Sequence, residues 1–111
     1  MKVIYCKIGQ APKILEIDGT RESMQSLVGG YIETYPYEYE PMVFVMNEEG
    51  KLQNFKPHRF IAGGRDIICG DFFVAAIGKN EHVQDDIIGL TEDQARLVMA
   101  TVGIGRLKYQ V

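Results

Sequence analysis

Cysteine and histidine are scarce in this chain of 111 residues, and basic residues are outnumbered by acidic ones. The two cysteines, Cys6 and Cys69, lie far apart in apolar, β-branched surroundings. That setting predicts buried reduced thiols rather than a disulfide or a metal pair. The two histidines, His58 and His82, are isolated, and no CxxC, HxH or HExxH spacing occurs, so no metal and no cofactor is expected. No run approaches the ~18 apolar residues of a membrane helix, and no basic stretch precedes a shorter one as in a signal peptide. A cytoplasmic location without membrane contact is expected. The formal net charge of −3 argues against a dedicated nucleic-acid binder.

Catalytic patterns are missing too. Gly103-Ile104-Gly105 has no following helix and no third glycine, so it is not read as a phosphate loop. Ser23 and Ser26 have no neighbouring nucleophile pattern, and Asp66 and Asp71 flank a strand as turn residues do. No catalytic residue is assigned, and the chain is read as not an enzyme. It contains no repeat, low-complexity tract or linker, so residues 1–111 are expected to form one domain. An apolar content of 46% is enough for a core.

The local signals are most concordant over Thr20–Glu33. Thr20 is an N-cap, Glu22 lies in the first turn, and Met24, Leu27 and Val28 make an apolar stripe. Gly29-Gly30 ends the helix, because the residue after a helix usually needs positive φ. Strands are expected at Lys2–Ile8 and Lys13–Ile17, forming a hairpin, and at Met42–Met46. Tyr31–Glu40 alternates strictly but carries Pro36 and is followed by Pro41, which marks an edge strand. Lys51–Arg65 reads as a structured loop. Asp66–Ile77 reads as one long strand kinked at Gly70-Asp71, and Gly78–Gly89 as a polar connector. A second helix opens at Thr91 with Gln94 in a capping-box spacing, carries Ala95, Val98, Met99 and Val102, and stops at Gly103. The tail from Ile104 adds a weakly alternating last strand. The expected fold is α+β: a two-layer domain with a mainly antiparallel sheet of five or six strands and two helices.

Two features bear on function. No Lys or Arg lies between Arg21 and Lys51, while the segment from Gly50 to Arg65 carries Lys51, Lys56, His58, Arg59 and Arg65 and no acid. Either these cations pair with the preceding glutamates or they form an anion pocket, with Arg as a planar fork and Lys as a point charge. The candidate ligand-binding set is Lys56, His58, Arg59 and Arg65, with Tyr31 and Asn47. The second feature is the spacing of Tyr35, Tyr37 and Tyr39, which puts three rings on one strand face. These are either half-buried strand residues or an interface, for a second copy or another protein.

The segments EIDGTRESMQSLVGGYIE, MNEEGKL, PHR and DIICGDFFV together resemble a family of small proteins of unknown function. Its members are encoded mainly by bacteriophages, plasmids and conjugative elements of Gram-positive bacteria. The matching blocks fall on Ile17–Glu33, Asn47–Leu52, Pro57–Arg59 and Asp66–Phe73, and the resemblance covers roughly residues 2 to 100. One departure is His58, where the family pattern has Asn. The resemblance implies a small accessory protein that counters host defence by binding something. The expected function is non-catalytic sequestration of a nucleotide-type signal molecule, a phosphate-bearing ligand, by a homo-oligomer in the host cytoplasm. The alternative is a protein–protein inhibitor docking on a host defence enzyme through the Tyr31–Tyr39 strand. An enzyme acting on a nucleotide is a third class.

Overall fold

The computed structural model describes residues 1–79 and 85–109. Its centre is the longest strand, β7 (Phe72–Lys79), which hydrogen-bonds to β1 (Lys2–Cys6) on one side and β4 (Met42–Asn47) on the other. The strand β2 (Lys13–Glu16) extends the sheet beyond β1, and β3 (Ile32–Pro36) forms the edge beyond β4. The strand β8 (Asp85–Ile88) pairs with the far end of β7. Every pairing in this six-stranded sheet is antiparallel. A separate two-stranded sheet joins β5 (Pro57–Ile61) to β6 (Asp66–Cys69). The α+β class, the sheet and the two helices are as expected.

The alternation along β1, β4 and β7 feeds two cores. Phe73, Ala75, Val43, Val45, Val3 and Tyr5 pack with Met24 and Val28 of α1 (Arg21–Val28) on one face. Phe72, Val74, Ala76, Phe44, Ile4 and Cys6 pack on the other with Ile61 and Ile68 of the small sheet and with Ala95 and Val98 of α2 (Glu92–Thr101). The helices therefore take opposite faces, and the central strands read as unbroken apolar runs because neither face meets water.

Local signals behave as the sequence indicates. Ser23 N–H donates to Thr20 Oγ1, and Gly29 closes α1 with φ +80°. Thr91 and Gln94 form a reciprocal capping box. Val102 rather than Gly103 caps the end of α2, and Met99 is half exposed.

Four long-range expectations are corrected. Gly70-Asp71 is neither a bulge nor a hairpin turn. Gly70, with φ +94°, passes the chain from the small sheet to the large one. The segment Lys51–Arg65 is not all loop: it contains β5, with Pro57 as its first residue, where the missing N–H is tolerated. The connector Gly78–Gly89 holds the end of β7 and all of β8, with residues 80–84, and so His82, outside the described residues. Among the described residues the tail forms a single bridge, Arg59 to Arg106, instead of a strand.

Candidate functional site

The basic segment does not converge on one pocket, because β5 sends alternate side chains in different directions. His58 is fully buried. Its Nδ1 lies 2.8 Å from the Gly70 carbonyl and donates to it, which leaves Nε2 as the acceptor for Arg106 Nε at 2.9 Å and Nη2 at 2.7 Å. Burial above all, with Arg106 adding to it, pushes its pKa down to about 4. A neutral, doubly engaged ring of this kind is a structural link, not a free donor to a ligand.

Arg59 is 2% exposed. Its guanidinium donates to Glu38 Oε1 at 2.6 Å and to the carbonyls of Val102 and Phe60, and it stacks on Phe44 and Tyr37. The charge is thus neutralised by Glu38, one of the preceding glutamates, and Arg59 lines none of the four main cavities among the described residues. Arg65 is exposed and hydrogen-bonds the Ala62 carbonyl. Asn47 is buried as a tie: Nδ2 donates to Val28 O and Oδ1 accepts from Glu49 N–H. Tyr31 is 67% exposed and lines a small hollow with Glu48 and Glu49, an acidic setting that suits no phosphate. Lys51 pairs with Asp66.

The tyrosine row is also broken. The strand ends at Pro36, and Tyr37 turns into the core, where its hydroxyl lies 2.7 Å from Thr101 Oγ1. Tyr35 and Tyr39 remain partly exposed. Edge position is as expected. The bonds Tyr37 N–H to Met42 O and Glu48 N–H to Tyr31 O direct the odd-numbered backbone groups toward β4. Ile32, Thr34 and Pro36 therefore carry the outward-facing groups, and Pro36 costs the ladder nothing.

Of the expected set, only Lys56 lines a cleft of about 490 Å³ between the end of α1, β1 and the start of β7. Lys7, Tyr5, Phe55 and Asp71 share it. Phe55 is positioned by two glycines of positive φ. A Cβ on Gly70 would lie 2.7 Å from its ring, and one on Gly29 would touch the far edge at 3.8 Å. Asp71 Oδ1 accepts from Ile8 N–H at 2.8 Å, while Oδ2 has only a long 3.4 Å contact from the Tyr5 hydroxyl among the described residues. Burial, then the adjacent Asp71 charge, raise the Tyr5 pKa to about 12, so its hydroxyl keeps its proton. Lys7 and Lys56 have no carboxylate partner among the described residues. Lys56 Nζ instead sits 5.1 Å from the Tyr109 ring centre.

Sequence reasoning missed Lys7, Phe55 and Asp71, which come from three separate segments. Cys6 is buried, with its thiol pushed up to about 12 by desolvation, and Cys69 is partly buried; both are free. No His, Cys, Asp and Glu group suited to a metal occurs among the described residues, and no described helix is long and apolar enough to cross a membrane.

Residues 1–103 match the family described as "Domain of unknown function (DUF3846)", and the chain belongs to that family. No curated protein and no solved structure matches it.

Proposed function

We propose that this DUF3846 protein is a non-catalytic binder of a phosphate-bearing, nucleotide-type small molecule, acting in the cytoplasm of a host that carries a phage or mobile element. The observation that carries the reading is the charge and shape of the Lys7–Lys56 cleft. Two lysines without carboxylate partners among the described residues border a cavity within the ~300–1,000 Å³ range of small-molecule sites. Phe55 offers an aromatic wall for a base, and Asp71 Oδ2 offers an acceptor for its N–H groups. The ligand role thus rests on Lys56 and not on His58, whose ring is engaged at both nitrogens, or Arg59, whose charge is paired with Glu38. The resemblance to proteins of phages and plasmids supplies the setting, in which sequestering a signal nucleotide would blunt a host defence.

A thermal-shift series with cyclic and linear nucleotides tests this, since a ligand that binds only the folded chain raises the melting temperature with the logarithm of its concentration over Kd. Stabilisation by one nucleotide that is lost in Lys56→Ala supports the reading. No stabilisation by any of them defeats it.

A second reading, a protein inhibitor docking through the edge strand, is favoured by one observation: Tyr31, Tyr35 and Tyr39 are exposed beside the open edge of β3. The same open edge would serve a homo-oligomer. A protein inhibitor of this type would show no response to nucleotides and would lose its partner on Tyr35→Ala with Tyr39→Ala.

A further inference from the structure

We propose that Arg106 is an anion-binding residue, which with Lys108 takes a phosphoryl group in the cavity between the β1–β2 turn and the C-terminal tail, and that His58 is its positioning residue. Neither Arg106 nor Lys108 lines the Lys7–Lys56 cleft, and among the described residues the two cavities adjoin through the Lys7 backbone and the contact of Lys56 with Tyr109.

The backbone around Arg106 is fixed from two sides. Arg106 N–H donates to Gly103 O at 3.2 Å and Leu107 N–H to His58 O at 2.7 Å, which lays the tail along β5. The guanidinium is then clamped by three acceptors: His58 Nε2, the Lys7 carbonyl at 3.1 Å and the Gln10 carbonyl at 3.0 Å. All three are neutral. That distinguishes Arg106 from Lys2, Lys51, Arg59 and Arg96, each of which meets a carboxylate. Arg106 is held in place without being neutralised.

One end of the fork is left over. Nε and Nη2 make every contact, while Nη1 has no partner among the described residues. No described buried polar side-chain atom lacks a hydrogen bond, so Nη1 reaches solvent. Arg106 lines a cavity of about 300 Å³ together with Gly9, Gln10, Lys108 and Tyr109. A second cation beside a fixed guanidinium favours the dianionic phosphoryl group over a carboxylate. The ligand is assigned as a soluble phosphate compound; a lipid headgroup offers the same phosphoryl chemistry, and vesicle pelleting separates the two.

His58 suits the positioning role because it cannot compete for the charge. Its Nδ1–H is committed to Gly70 O, so the acceptor lone pair on Nε2 faces Arg106. Burial keeps the ring neutral through the physiological range. Asn in this place reproduces the Nδ1 contact but falls short of Arg106, whereas Gln carries an oxygen to about the Nε2 position.

Pyrophosphate titrated into the ¹⁵N-labelled protein is the test, read on the Arg106 Nε–Hε signal and assigned by its loss in Arg106→Lys. A saturable shift of that signal is expected. Arg106→Lys, read on the Lys108 backbone amide signal, should weaken binding roughly tenfold or more by losing the clamped guanidinium. His58→Asn should weaken it as well, and His58→Gln should restore it. Lys7→Ala, which removes a cation of the other cleft but keeps the carbonyl that holds Arg106, should leave it unchanged. Pelleting with phosphatidic acid vesicles should carry down none of the protein. An Arg106 signal unmoved by tens of millimolar pyrophosphate would overturn the proposal without need of any variant. Loss of binding in Lys7→Ala but not in Arg106→Lys, or co-pelleting with the vesicles, would overturn it too.

Discussion

The Tyr37 hydroxyl and the Thr101 hydroxyl share a hydrogen bond of 2.7 Å that ties the end of the edge strand to the last turn of α2. Thr101 Oγ1 also lies 2.8 Å from Leu97 O and donates its proton there, so Tyr37 is the donor in the pair. Burial raises the Tyr37 pKa, and the hydroxyl stays protonated in that role. Tyr37→Phe should cost about 1 kcal/mol in urea denaturation, the usual net worth of one hydrogen bond. Tyr39→Phe, at an exposed position, should be neutral within about 0.5 kcal/mol. Equal costs would place Tyr37 outside the core.

Glycines at positive φ give a graded series. Gly29→Val should destabilise by about 1 kcal/mol or more, since it forces a branched side chain into the left-handed region. Gly70→Ala should cost more than Gly63→Ala. Both have positive φ, but only the Gly70 Cβ would meet a ring at 2.7 Å, while that of Gly63 would meet nothing within 4 Å. Thermal melts of the three variants test the order.

Arg59→Ala should be among the most damaging single changes, at roughly 3 kcal/mol, because it removes a buried charge with its Glu38 partner, two carbonyl contacts and its packing on Phe44. Lys56→Ala, on an exposed residue, should leave the unliganded melting temperature nearly unchanged and remove only the ligand response. The opposite pattern would return the ligand role to Arg59.

Stability should fall with acid through His58. Its ordinary pKa of 6.5 is pushed down to about 4 in the fold. Between those values the unfolded chain binds a proton that the folded chain refuses, so the contribution is complete above the higher value and is lost as pH falls toward the lower. Protonation would set an imidazolium against Arg106, with Asp71 the nearby group opposing that effect. The full span corresponds to at most about 3 kcal/mol. Urea midpoints of the wild type should therefore drop from about pH 7 to about pH 5 more steeply than those of His58→Gln, in which nothing titrates at that place. Parallel curves would remove His58 as the cause.

What the sequence made legible was local. Thr20, Gly29, Thr91 and Gln94 act on neighbours within four residues, and each does what its chemistry indicates. The strands β1, β2 and β4 announce themselves by composition. Reading Lys51–Arg65 as loop gave too much weight to Pro57 and the paired glycines, which bracket β5 rather than prevent it. The charge sorting was real, and Arg59 takes the pairing with a preceding glutamate, Glu38; whether Arg59 or Lys56 meets a cavity depends on which face of β5 packs on Phe44, a tertiary fact. Arg106 left a faint trace, a lone arginine after two glycines in an apolar tail, and its partners at Lys7, Gln10 and His58 lie nearly a whole chain or half a chain away.

The central position of β7 governs the order in which this chain can acquire structure during synthesis. The hairpins β1–β2 and β3–β4 close locally, but the pairings Ile4 with Val74 and Phe44 with Val74 cannot form until the chain past Phe72 has left the ribosome. Until then α1 has only half of its seat, and the apolar run from Met42 to Met46 stands with one edge open. Two nascent hairpins wait for a strand that arrives late, and closing such long loops sets a slow, largely all-or-none step. That interval is when a holdase chaperone would find its substrate.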